Sequence, residues 1–434
     1  MTVPETVTSI GRYVFSGCSS LTTVTILEGV TSIGYSAFYG CSSLLSVTIP
    51  PSVMSISGYA FGGCSNLKFV YITDLEAWCK IEFCDTYSNP LYNEADLYIN
   101  GEKATNIEVP DGVTSIGNHA FSHCRSLVSM TLPSSITSIG YGSFIWCSNL
   151  KSVYISDLET WCKIEFHGTV SNPLCNGAAL YINGEKATNI EIPMSVTCIG
   201  DYAFQYCSSL MSVTIPASVT SIGDDAFFGC RSLTSIAVDE NNAKYSSDER
   251  GVLFSKDKTT LIQYPIGNTA TSYEIPSSVA SIGDSAFYDC SSLTSVIIPS
   301  SVTSIDNYAF YNCSKLKDVY YLGTEEEWKN ISIGSNNYCL TNATIHYNAT
   351  VLTPSVTRTA DGTVYKVSAA NLPVSSVVVV ALYKDGRFVG YESAVYNGET
   401  LEIAADTPHD TATILAWSDL EKLIPLAPGT KIGS

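Results

Sequence analysis

The segment VTSIGDYAFQYCSSLMSVTIP, beginning at Val196, returns along the chain with the same skeleton, and this restricts the possible folds more than any other feature. It starts again at Val7, Val30, Val53, Val113, Ile136, Val219, Val279 and Val302, which makes nine units. Most successive starts lie one unit apart, as Val7, Val30 and Val53 do; the steps from Val53 to Val113, Ile136 to Val196 and Val219 to Val279 each add an insert of one constant length. Val30, Val113, Val196 and Val279 follow one another at equal spacing, a second and longer period. Within a unit, V-x-x-I and L-x-x-V-x-I alternate apolar residues with Ser and Thr, the pattern of short strands buried on one face. Between them, A-F-x-x-C suits one short helical or 3₁₀ turn. No single coil of this kind encloses its own Val, Ile, Phe, Cys and Leu. Stacked about 4.8 Å apart, coils give each of these residues a partner above and below. The expected fold is a β-rich solenoid, a stack of equal coils with short helical turns.

Two columns hold without exception. Phe15, Phe38, Phe61, Phe121, Phe144, Phe204, Phe227, Phe287 and Phe310 form one, and Cys18, Cys41, Cys64, Cys124, Cys147, Cys207, Cys230, Cys290 and Cys313 form the other. A nucleophile or metal site needs one special cysteine, so nine equivalent thiols point to packing. Six others, Cys79, Cys84, Cys162, Cys175, Cys198 and Cys339, break the pattern; Cys79 with Cys84, or Cys162 with Cys175, are the pairs an oxidising compartment would permit. Most thiols are expected to stay reduced, because parallel stacked side chains disfavour the near-perpendicular disulfide torsion.

The run VTSIGDYAFQYCSSLMSVTIP resembles the BspA-like (Treponema-type) leucine-rich repeat, and the resemblance covers most of residues 1–349. It implies a leucine-rich-repeat solenoid in a secreted or cell-surface bacterial protein, of a kind often associated with adhesion to host proteins or other microbes. It implies no particular ligand, since fold does not fix target.

Two inserts are near copies, TDLEAWCKIEF…LYINGEKATNIEVP from Thr73 and SDLETWCKIEF…LYINGEKATNIEIP from Ser156. Thr73 with Glu76, and Ser156 with Glu159, have capping-box spacing for a short helix carrying Trp78 or Trp161. Asn100-Gly101 and Asn183-Gly184 signal hairpins. The third insert, NNAKYSSDERGVLFSKDKTTLIQYP, reads as hairpins with turns around Arg250-Gly251 and Lys256-Asp257, and GTEEEWKNISI with ATIHYN as a further helix and strand. All are expected to be enlarged coils that continue the stack.

After about Thr350 the repeat pattern stops. Strands punctuated by Asp361-Gly362, Asp385-Gly386 and Asn397-Gly398 then indicate a small all-β sandwich over 350–434, after a solenoid domain over 1–349. VALYKDGRFVGYES and AWSDLEKLIPL resemble small sandwich modules of secreted clostridia-like proteins, and the tail from Pro428-Gly429-Thr430 reads as a linker. Met1 leads straight into TVPETVTSIG, the end of one repeat running into the next, so missing upstream coils and a removed export signal are expected.

The formal charge of -19 repels nucleic acid and anionic lipid, and no run of roughly 18 apolar residues appears that could insert in a membrane. His119 and His123 lie four apart around one A-F turn, but no carboxylate or cysteine joins them at ligand spacing, so they read as surface substitutions and no metal or cofactor is expected. No G-x-S-x-G, H-E-x-x-H or phosphate loop occurs. The expectation is a monomeric binding protein, not an enzyme, whose partner is a host or microbial surface protein, with a glycan as the alternative. Aromatics at variable positions beside the A-F turn carry that expectation: Tyr35, Tyr39, Tyr141, Trp146, Tyr202 and Tyr206, which neighbouring coils would align in a stripe. The hairpin tips at Asn100 and Asn183 offer two similar surfaces, one long period apart along the chain. A second column on the L-x-x-V-x-I strand includes Tyr71, Tyr154 and Tyr320, expected to pack under Trp78, Trp161 and Trp328.

Overall fold

The computed structural model describes residues 1–349, 351–359, 362–370, 372, 376–405, 407–417 and 430–432. Two compact units form, Met1–Gly251 with Pro265–Gly267, and Val252–Tyr264 with Asn268–Ser434.

In the first unit each coil gives one strand to each of two parallel ladders. Thr23–Ile26, Ser46–Thr48, Phe69–Ile72 and Asp96–Ile99 lie side by side with Val24, Val47, Val70 and Leu97 in register, all buried. Across the coil run Ser9–Ile10, Ser32–Ile33, Ser55–Ile56 and Glu82–Phe83. Asp96–Ile99 and Glu82–Phe83 belong to the first insert, so the insert continues the stack as a coil of its own. Its Asn-Gly hairpin then lays Glu102–Lys103 antiparallel along Asp96–Ile99, and a fresh parallel sheet begins at Asn106–Glu108. The second insert repeats this arrangement with Ala179–Ile182, Glu185–Lys186 and Asn189–Glu191. At the other end Thr2–Val3 pairs with Thr25 and Ile26.

The Phe and Cys columns interlock through the backbone. Phe rings of adjacent coils stack nearly parallel, Phe15 on Phe38 at 5.2 Å, Phe38 on Phe61 at 5.3 Å and Phe204 on Phe227 at 5.6 Å. Where another repeat unit follows directly, the Phe amide donates to the carbonyl before the next Phe, as Phe38 does to Ala60 at 2.8 Å and Phe204 to Ala226 at 2.8 Å. Where another repeat unit precedes directly, the Cys thiol donates back to its Phe carbonyl, Cys64 to Phe38 at 3.1 Å, Cys147 to Phe121 at 3.0 Å and Cys230 to Phe204 at 2.9 Å. A small apolar side chain with one weak donor is what this position needs, and Cys is that residue. Burial pushes the Cys64 thiol up to about 12, and those of Cys147 and Cys230 well above the ordinary thiol range. All fifteen cysteines are free thiols, including both pairs considered above, Cys79 with Cys84 and Cys162 with Cys175.

The insert helices Leu75–Cys79 and Leu158–Lys163 are capped differently from the expected Thr73–Glu76 and Ser156–Glu159 boxes. Asp74 accepts the Ala77 amide at 3.0 Å, and Asp157 accepts those of Glu159 and Thr160 at 3.0 and 2.9 Å. The acid one residue later supplies the cap and Glu76 and Glu159 turn outward, each bonding a lysine one turn on, Lys80 and Lys163, at 2.6 Å. A reciprocal capping box closes on the helix Glu325–Lys329, between Thr324 and Glu327, and on the 3₁₀ turn Thr86–Ser88, between Asp85 and Ser88. Trp78 and Trp161 are buried, and their indole Nε1 atoms donate to the Ala120 and Ala203 carbonyls at 3.0 and 2.9 Å. Such carbonyls accept a Phe amide in an ordinary coil; in the insert coil, which has no ladder Phe, the indole takes over together with a buried Asn amide, Asn89 to Ala120 at 3.1 Å and Asn172 to Ala203 at 3.0 Å. Tyr71, Tyr154 and Tyr320 therefore do not pack under the tryptophans. They meet the next strand instead, Tyr71 with Tyr98 at 5.2 Å, Tyr154 with Tyr181 at 4.8 Å and Tyr320 with His346 at 4.6 Å.

In the second unit Leu253–Ser255 and Thr260–Gln263 form the expected hairpin around Lys256-Asp257. Coils continue through Ser272–Glu274, Ser295–Ile298, Asp318–Tyr321 and Thr344–His346. Two antiparallel sheets follow, one of Val351–Thr359, Gly362–Ala370 and Leu401–Ala405, the other ordered Arg387–Val395, Val377–Lys384, Thr411–Trp417, Thr430–Ile432. Tyr365, Val367 and Ile403 of the first share a core with Val378, Val380 and Ile414 of the second. Asp361 of the expected turn, residues 418–426 of AWSDLEKLIPL, and Pro428-Gly429 lie outside the described residues.

Candidate recognition surface

In all nine units the residues two before and two after the ladder Phe have left-handed backbone. The expected short helical turn takes the form of tight turns bracketed by these two residues. Glycine fills the site at Gly17, Gly40, Gly63, Gly142 and Gly229, as the conformation favours. Tyr13, Tyr59, His119, His123, Trp146, Tyr202, Tyr206 and Tyr308 occupy it elsewhere, with φ between 55° and 62°. Each such residue costs roughly 1–2 kcal/mol of backbone strain that glycine would avoid.

Tyr13, Tyr59, His123 and Trp146, placed this way, join Arg12, Tyr35, Tyr87 and Tyr92 in a continuous row on the flank of the first unit. Arg12 lies over the Tyr13 and Tyr35 rings at 5.8 and 5.3 Å. Tyr35 meets Tyr13 at 5.6 Å and Tyr59 at 6.0 Å, and Tyr59 stacks on Tyr87 at 4.9 Å. Tyr87 meets Tyr92 at 4.5 Å, Tyr92 meets His123 at 5.0 Å, and His123 approaches Trp146 at 6.3 Å. Beside this row Tyr141 meets His119 at 5.7 Å. Tyr39 stands outside the ring-to-ring row and lies over Gly62, where an added Cβ would come within 3.1 Å of its ring; Tyr141 lies over Gly168 in the same way at 3.0 Å. Tyr39, Tyr141 and Trp146 keep 48, 54 and 58% of their surface exposed.

A second cluster lies on the turn of the Val196 unit. Tyr202 and Tyr206 are both left-handed and half-buried, and Tyr206 meets Phe228 edge-on at 5.5 Å. Between them Gln205 is buried, and neither of its amide atoms finds a hydrogen-bond partner among the described residues. An unsatisfied buried amide costs about 1–3 kcal/mol. Burial, and next the Asp225 carboxylate, push the Tyr202 phenol up.

His119 and His123 are not the surface substitutions expected from the sequence. Both are buried under the aromatic row; His119 Nδ1 lies 3.4 Å from Thr86 Oγ1 and His123 Nδ1 lies 2.9 Å from Ser122 Oγ. Burial lowers both imidazoles, that of His123 to about 4, with Arg125 adding to the effect. Asn100 and Asn183 stand at the hairpin tips with φ of 52°, followed by Gly101 and Gly184 at 85° and 83°. This two-residue left-handed turn accounts for the Asn-Gly pairs on its own.

Tyr87 and Tyr92 are the residues that sequence reasoning missed, and without them the row would stop at Tyr59. A signal existed: the two inserts are near copies, yet the second carries Val170 and Cys175 at the places of Tyr87 and Tyr92. The copies differ where the first carries the row across its insert.

The profile of the BspA type leucine rich repeat region, in six copies, matches residues 1–87, 94–170, 177–251 and 266–358. The chain belongs to the BspA-type leucine-rich-repeat family. Solved structures similar to this BspA-type chain include a leucine-rich cell surface protein from Faecalibacterium prausnitzii, 28% identical over 75% of this chain and 86% of that one, with a TM-score of 0.40. A leucine-rich repeat protein from Bacteroides ovatus is 25% identical over 79% of this chain and 87% of its own, TM-score 0.38. One from Eubacterium ventriosum is 26% identical over 56% of this chain, TM-score 0.38, and the chain spans 65% of that protein's length. No curated protein matches the sequence.

Proposed function

We propose that this BspA-type chain is a secreted or cell-surface binding protein, non-enzymatic, that recognises a surface protein of a host or of another microbe along the flank of its solenoid. The observation that carries the reading is the placement of Tyr13, Tyr59, Trp146, Tyr202 and Tyr206 at backbone positions where glycine costs less. Strain retained at exposed aromatic side chains is explained when the side chains do something the stack does not require. Tyrosine and tryptophan give large contact area at low entropy cost, as recognition surfaces need. Membership of the BspA-type family supports the same compartment and a binding role. The hairpins at Asn100 and Asn183 protrude from equivalent edges of the first unit and would add two like contacts to a repetitive partner.

Binding of the fluorescently labelled chain to intact epithelial and bacterial cells, before and after trypsin shaving, tests this. A protein partner predicts binding that trypsin abolishes and that a Tyr35→Ala, Trp146→Ala double variant loses. Binding that survives shaving overturns it. A glycan is the second reading, favoured by Tyr39 and Tyr141, whose rings lie against glycine on one side while half of the side chain stays exposed. It predicts hits on several related glycans of an array, lost in Tyr202→Ala and Tyr206→Ala.

A further inference from the structure

Arg387–Val395 is the outermost strand of its sheet, paired with Val377–Lys384 on one side and with no described strand on the other. The Tyr396 amide donates to the Ser376 carbonyl at 2.8 Å, which fixes which residues face the neighbour. Ala394, Glu392 and Gly390, opposite Val378, Val380 and Leu382, turn their backbone groups inward to that strand. Tyr391, Ser393 and Val395 consequently turn theirs to the open edge. Their side chains lie on the solvent face, with Tyr391 and Val395 63 and 60% exposed, while Ala394 packs on the core. Of the devices that usually blunt such an edge, the strand carries two charges, Arg387 at its start and Glu392 on the inner face, but no Pro and no Lys lie between Arg387 and Val395, and the register irregularity sits at the far end, opposite Leu382 and Tyr383.

We infer that this edge pairs with the same strand of a second copy of the chain, Tyr391–Val395 against Tyr391–Val395, antiparallel about a twofold axis through Ser393. The free groups are backbone amides and carbonyls in strand spacing, so the matching occupant is another β-strand. The choice of this strand as its own partner follows from the side chains. A twofold axis perpendicular to the sheet sets residues of the same face opposite one another. With Ser393 at the centre, Tyr391 faces Val395 twice on the solvent face, an aromatic against a β-branched residue. Ser393 faces Ser393, and on the inner face Glu392 faces Ala394, so no like charges meet directly. The contact is small, which makes the dimer weak and dependent on concentration, and the chain charge of -19 makes it stronger at higher salt. The dimer goes beyond the binding role proposed above and is independent of it.

Sedimentation equilibrium of the full chain over a hundredfold concentration range, at low and at high salt, tests the inference. Self-association into a dimer, strengthened by salt, is the expected result. Ser393→Pro removes only an outward amide, and Tyr391→Lys places a charge on the pairing face; each is expected to leave the melting temperature unchanged and to abolish the dimer. A chain that stays monomeric throughout overturns the inference, as does a dimer that survives in both variants with the fold intact. A monomeric chain that nevertheless binds a labelled RFVGYESAV peptide also overturns it, and assigns the edge to a foreign strand.

Discussion

Phe204→Ala removes a fully buried ring from the middle of a stack. The ring lies 5.6 Å from Phe227 with its plane tilted by only 4°, its amide holds Ala226, and its carbonyl takes the Cys230 thiol. Truncation deletes the transfer free energy of the ring and leaves a cavity that coils held at strand spacing cannot close, so the loss should be about 3–5 kcal/mol. Phe15 likewise stacks on one ladder ring, Phe38 at 5.2 Å, but is only half-buried. Its truncation should cost roughly half as much. Because repeat arrays open locally, hydrogen exchange resolved to short peptides is the better assay than a single denaturation midpoint. The amides of Tyr206 and Cys207, bonded to Phe228 and Phe204, should exchange roughly a hundredfold to several-thousandfold faster in Phe204→Ala. The coils around Phe38 should change far less. Exchange raised equally over the whole unit, or a loss below about 1 kcal/mol, would refute one-dimensional stacking.

Three further outcomes follow from the same geometry. In the native chain Cys18, Cys84 and Cys198 should alkylate readily, while Cys64, Cys147 and Cys230, buried and with thiols pushed far up, react only after urea; mass spectrometry of the labelled peptides decides. His123 titrates near 4 when folded against 6.5 when free, so between these values the unfolded chain takes up a proton that the folded chain does not, and the melting temperature should fall as pH drops from 6.5 to 4. His123→Gln should flatten that slope; an unchanged slope would contradict the burial of the imidazole. Trimming both hairpins at Asn100-Gly101 and Asn183-Gly184 should weaken cell binding far more than trimming either, with circular dichroism preserved. Equal binding by the double-trimmed chain would leave the aromatic row as the sole contact.

Much of this architecture can be read from residues because every coil repeats the same instruction. Val24, Val47 and Val70 occupy equivalent positions, so their stacking follows from the period alone. The Cys column is recognisable as packing, but its hydrogen bond to the preceding Phe carbonyl is a feature of the stacked backbone and has no counterpart in a single unit. Backbone handedness is concealed for a related reason: Gly17, Trp146, His123 and Asp289 share one conformation, and the column looks merely variable. Thr73 and Ser156 match the capping pattern, yet Asp74 and Asp157 stand one residue nearer the helix and win the amides. The partners of Tyr71 and Tyr154 are likewise hidden, since Tyr98 and Tyr181 reach the adjacent strand only after the intervening helix has folded back.

The claim on which the functional account turns is that aromatic side chains on the flank are held at a cost to the fold for the sake of recognition. Stability and cell binding measured together on Tyr59→Gly, Tyr202→Gly and their double variant test it most directly. Relief of the left-handed strain, with φ of 55° and 60° at the two sites, should offset the lost ring contacts and leave stability within about 1 kcal/mol of the parent. Binding should fall at least tenfold in the double variant. A clear loss of stability with binding unchanged would contradict the account, and would make the aromatic row part of the stack.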